Sequence, residues 1–109
     1  MPTATAERRS QRISTVVPLV VQGQTEGMVS FREATFALSV SAHGALLTLR
    51  TKVAVGQRLL LMNQKNWDEL EGQVAYIGIP SAGLTRVGIE FTRAAPEFWS
   101  LQAPPIDWS

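Results

Sequence analysis

Apolar positions along this chain fall in short runs separated by turn residues, and within a run they recur with a period of two rather than 3.6. The segment 31–41 is the clearest case. Ala34, Phe36, Leu38 and Val40 alternate with Thr35, Ala37, Ser39 and Ser41. That pattern predicts a strand with its bulky set on a core and its small set toward solvent or a ligand. Upstream, Thr15-Val16-Val17-Pro18-Leu19-Val20-Val21 is β-branched and apolar and reads as another strand. Pro18 cannot donate to a ladder, so it belongs at an edge, at a bulge or facing away from a partner. Downstream, residues 45–50, 58–62 and 74–79 read as further strands. In a clear last strand Thr85, Val87, Ile89 and Phe91 alternate with Arg86, Gly88 and Glu90.

The connections carry turn chemistry: residues 23–27, Ala42-His43-Gly44, residues 53–56, Asn63-Gln64-Lys65-Asn66 and Pro80-Ser81-Ala82-Gly83. After the last strand, residues 96–101 predict a short helix with Pro96 in its first turn. Phe98, Trp99 and Leu101 are too apolar to be left in water and are expected to plug an open end of the β structure. About six short strands without a long helical pattern predict an all-β fold, a small barrel or sandwich. Closure into a barrel removes the edges that such apolar strands would otherwise expose. Residues 1–6 read as a loose tail, 7–101 as the folded domain and 102–109 as a C-terminal tail.

Composition narrows the function classes. A chain of 109 residues holds one modest core, and 45% hydrophobic residues with 17% charged argue against disorder over most of it. There is no cysteine and one histidine, His43. Disulfides, thiolate metal sites and His-rich metal sites are thereby excluded, and no metal or cofactor is expected. No stretch approaches the roughly 18 apolar residues of a spanning helix. The first dozen residues are polar and end in arginines, which predicts no secretory signal and a cytoplasmic protein without a membrane role. The net charge of +1 and the lack of interleaved basic and aromatic residues weigh against nucleic-acid binding. Asp68, Glu69 and Glu71 fall in or beside a predicted hairpin, where a solvated role is the default, so no enzyme is expected.

Two short segments carry candidate chemistry. In Arg8-Arg9-Ser10-Gln11-Arg12 the guanidinium groups offer planar, forked donors that bind phosphate or the guanine O6/N7 edge bidentately. Read by itself, such a run is first of all a solvated basic tail. In Ser39-Val40-Ser41-Ala42-His43-Gly44, period two places Ser39 and Ser41 on one outward face, and Gly44 permits a tight turn and close backbone approach by a ligand. Read by itself, this is first of all an exposed strand end with a turn glycine.

Together and in this order, the two segments resemble the PilZ family, which carries an RxxxR motif before its first strand and a [D/N]xSxxG motif after its second. Arg8 and Arg12 match the first motif; Ser41 and Gly44 match the end of the second; Ser39 stands where the family usually has Asp or Asn. Val55-Gly56-Gln57 and Val87-Gly88-Ile89-Glu90-Phe91 add to the likeness, which covers residues 7–101. The resemblance implies a six-stranded antiparallel barrel with a short C-terminal helix and a receptor role for cyclic di-GMP. Arg8 and Arg12 would contact guanine and phosphate, Arg9 would assist electrostatically, and Ser39, Ser41 and Gly44 would line the base. A protein partner for output is also implied, while the oligomeric state stays open. A serine hydroxyl in place of a charge-assisted carboxylate gives up about 1–3 kcal/mol, or tenfold to a hundredfold in affinity. The alternative is a degenerate domain of this type that contacts proteins without nucleotide.

Overall fold

The computed structural model describes residues 11–25 and 27–99. The expectations placed on residues 1–6, on Arg8 and Arg9, on Leu101 and on residues 102–109 therefore lie outside the described residues. Within them the chain forms β1 (Ile13–Gln24), β2 (Ser30–Ser41), β3 (Gly44–Leu49), β4 (Arg58–Asn63), β5 (Glu69–Ile77), β6 (Thr85–Phe91) and a 3-10 helix, Pro96–Trp99. The strands close into an antiparallel barrel in the order β1-β2-β3-β6-β5-β4, with β4 returning to β1. Pro18 lies one residue before the β1–β4 ladder begins at Leu19 and just after a register shift in β1, so no ladder bond to β4 is lost.

The interior is filled by alternate residues of all six strands, among them Leu19, Leu47, Leu61, Val74 and Val87, each at most 1% exposed. Full burial of such side chains contributes roughly 1.5–3 kcal/mol each and is the main term holding the barrel together. The expected plug is present: Phe98 and Trp99 are buried and meet Phe91 in an aromatic cluster, with the Phe98 and Trp99 rings edge to face at 4.9 Å. Asn63, fully buried, donates from Nδ2 to the Phe98 carbonyl at 2.8 Å and accepts from the Lys65 amide at Oδ1. At another loop, the Glu33 carboxylate accepts from the Arg50 and Thr51 amides and from the Thr51 hydroxyl, all within 3.0 Å.

β2 corrects one expectation. Its bulky set does not face the core throughout: Ala34 and Phe36 are exposed, whereas Thr35 and Ala37 are buried. Thr35 and Ala37 pair with Leu19 and Val17 of β1, so small inward residues make room for larger neighbours. The Thr35 hydroxyl is satisfied by the Thr48 carbonyl at 2.6 Å. Between Ala37 and Ser39 the register to β3 shifts by one residue, which inverts the alternation. Beyond the bulge Val40 faces in, and Ser39 and Ser41 lie on the outer side as expected.

Gly44 also answers to the packing of the barrel. The structure shows a strand-packing reason for this glycine: a Cβ built there would lie 2.1 Å from the Ile89 carbonyl oxygen of β6. The β6 backbone occupies the space a side chain would need. Gly44→Ala is therefore expected to destabilise the barrel by about 3 kcal/mol or more. Urea denaturation monitored by tryptophan fluorescence measures this, and an unchanged midpoint would remove the argument.

Candidate functional site

The outer faces of β2, β3, β6 and β5 form two parallel rows across the barrel wall. Cross-strand pairing gives Ser41, Gly44, Glu90 and Gln73 in one row, and Ser39, Leu46, Gly88 and Tyr76 in the other. An open groove of about 480 Å³ runs over these rows. Arg12, Ser39, Ser41 and Gly44 all border it. Arg12 immediately precedes β1, whose Ile13 and Ser14 pair with Val40 and Ser39, so this side chain stands beside both serines through β1–β2 pairing. The groove thus collects residues 27 to 32 positions apart in sequence because two strands happen to be neighbours.

The turn that carries the second motif is firmly held. The carbonyls of Ser41, Ala42 and His43 accept, in sequence, from the Trp99 indole Nε1 (2.8 Å), the Ala95 amide (2.7 Å) and the Phe91 amide (2.8 Å). Within the turn, the Ser41 hydroxyl accepts from the His43 amide at 3.3 Å and lies 3.5 Å from the Gly44 carbonyl. These two contacts are at the long, weak end of the hydrogen-bond range. The backbone is fixed while the hydroxyl is only lightly engaged, an arrangement suited to receiving a polar ligand.

Charge in the groove is mixed. Among the described residues that line it, Arg12 and Glu90 are the charged ones, with His43 at the turn. Among the described residues no group of three or more His, Cys, Asp or Glu is placed to hold a metal ion, and no helix is long and apolar enough to cross a membrane. A guanidinium group with hydroxyls beside it can bind an anion without a metal ion.

The sequence reading left Tyr76 unremarked, and it took Gly88 and Glu90 for parts of a last strand without placing them at the groove. For Tyr76 the pattern gives no signal. Glu69, Glu71 and Gln73 point outward, so strict alternation would send Ala75 out and Tyr76 in. A register shift between Val74 and Tyr76 makes Ala75 the extra residue and turns Tyr76 out, 56% exposed.

No family model matches this sequence. No curated protein matches it either. Solved structures do share its fold. The Bacillus subtilis inhibitor of motility MotI/DgrA superposes with a TM-score of 0.61 at 20% identity, over 82% of this chain and 44% of that one. YcgR of Escherichia coli in complex with c-di-GMP superposes at 0.57 and 21% identity, over 83% of this chain and 40% of that one. The PilZ domain of YcgR with c-di-GMP gives 0.59 and 19% identity, over 86% of this chain and 84% of that one. The fold is the PilZ-type barrel. This chain spans less than half the length of the first two proteins and most of the length of the isolated domain.

The grip of Trp99 on the Ser41 carbonyl yields a prediction. Trp99→Phe keeps the apolar bulk but leaves that carbonyl without its donor. The variant is expected to lose about 1–3 kcal/mol of stability. Amide exchange at His43 and Gly44 is expected to speed up more than exchange in β4. Uniform protection across the barrel in the variant would contradict the claim.

Proposed function

We propose that this domain is a receptor for cyclic di-GMP, binding the dinucleotide in the outer-face groove and passing the signal to a protein partner. The observation that carries the reading is that Arg12, Ser39, Ser41 and Gly44, drawn from two separate sequence motifs, border one groove. The same barrel in YcgR of Escherichia coli has c-di-GMP bound, which supports the ligand class. Arg12 is placed to grip a phosphate or a guanine edge bidentately, and the two serine hydroxyls supply neutral donors and acceptors beside it. Arg8 and Arg9, a few residues upstream, add positive charge as the ligand is enclosed. We assign binding and not catalysis, because Glu90 is the single carboxylate among the described lining residues.

A second reading, protein contact without nucleotide, is favoured by the exposure of Val16 and Phe36 near the start of the barrel wall and of Trp67 in the β4–β5 loop. Tryptophan in particular is enriched among the residues that dominate binding at interfaces.

Calorimetric titration with cyclic di-GMP separates the two. The first reading expects measurable heat and a single binding isotherm for the parent protein. Silence at high micromolar ligand would leave only the second. Arg12→Ala is expected to weaken binding about a hundredfold without changing the thermal midpoint by more than about 2 °C. Ser39→Asp restores the family's charged acceptor and is expected to tighten binding about tenfold. An Asp variant that binds no better than the parent would show that Ser39 does not face the guanine edge.

A further inference from the structure

Tyr76 occupies the end of the groove opposite Arg12, and nothing in the two motifs accounts for it. The bulge at Ala75 is what delivers its side chain to the outer face. Its setting is unusual in having glycine on two sides. A Cβ added at Gly88, its cross-strand partner, would lie 3.1 Å from Tyr76 Cβ and 3.6 Å from Cδ2. A Cβ added at Gly78 would lie 3.3 Å from the Tyr76 Oη. The side chain therefore lies along the wall from Gly88 to Gly78, passing over these two glycines. More than half of its surface stays open to solvent at the groove. An aromatic ring laid over a glycine of the neighbouring strand has a structural use, since it covers exposed backbone. That use does not require the ring to border a groove shared with a guanidinium and two hydroxyls.

We infer that Tyr76 is the stacking platform for a purine base of the bound dinucleotide. This rests on the receptor reading above and adds a residue to it. The row Ser39, Leu46, Gly88, Tyr76 fixes the scale. Neighbouring strands lie about 4.8 Å apart, so the ring resting over Gly88 is about 10 Å from Ser39. A ligand with one base held by Arg12, Ser39 and Ser41 brings its second base across Leu46 toward Tyr76. Along this row the floor is low: Gly88 has no side chain and Leu46 is apolar, while the carboxylate of Glu90 stands in the adjacent row. Stacking on an aromatic side chain tolerates any base, because every base has a π-face. The groove thus divides its labour, with polar and charged recognition at the β1–β2 end and planar apolar contact at the β5–β6 end.

The chain contains one tyrosine, so its ring protons form a single assignable set. The experiment adds cyclic di-GMP to the parent protein and to Tyr76→Phe, Tyr76→Leu and Arg12→Ala, reading affinity by calorimetry and the tyrosine ring by NMR. Stacking expects upfield ring shifts in the parent on ligand addition, affinity within about twofold for Tyr76→Phe, and about tenfold weaker binding for Tyr76→Leu. The leucine covers Gly88 about as well as tyrosine does, so a cover-only role leaves its affinity unchanged. Tyr76→Leu binding like the parent, or ring resonances unmoved at saturation, overturns the stacking role. Provided the parent still binds and Arg12→Ala does not, the receptor reading survives that result. A parent protein that gives no heat at all overturns both.

Discussion

Three consecutive carbonyls at one turn tie this molecule together. Ser41, Ala42 and His43 end β2 and begin the turn to β3, and each hands its carbonyl to the C-terminal part of the domain, through Trp99, Ala95 and Phe91. The aromatic plug cannot seat without organising this turn, and the turn cannot shift without unseating the plug. Hydrogen bonds in such a shielded cluster reinforce one another, and a donor or acceptor left behind would be costly. The last segment of the domain therefore sets the backbone on which the groove's serines are displayed.

The groove uses this rigidity in an economical way. Its floor comes from outward positions of four strands, and its rim cation comes from the residue just ahead of β1. Barrel closure aligns these positions, since neither Arg12 nor Tyr76 is close in sequence to the Ser39–Gly44 turn. Bulges in β2 and β5 decide which side chains reach the surface: one brings out Ser39 and Ser41, the other brings out Tyr76. Without either, the same strands would bury what they now expose.

Much of this was legible in the residues. The strands, the turns at Ala42-His43-Gly44 and Ala82-Gly83, and the apolar plug at Phe98 and Trp99 follow from period, turn chemistry and hydropathy. The faces of β2 were not legible. Period two in a sequence states that side chains alternate, but a single inserted residue reverses which set is inside, and nothing in Phe36-Ala37-Leu38-Ser39 announces it. Long-range polar ties were equally hidden. Glu33 closing the Arg50–Thr51 loop and Asn63 reaching Phe98 join residues that only the barrel brings together. Of the site, the serines and Arg12 were named from their motif pattern, whereas Tyr76 needed the bulge to be seen.

Gly44 carries a wider consequence. Its missing side chain is demanded by the Ile89 carbonyl across the sheet, an obligation internal to the barrel. A barrel of this topology with no ligand in the groove could do without Arg12 and both serines, yet it would still need glycine here. The shape of the barrel alone is enough to hold glycine at this position, whatever the groove receives.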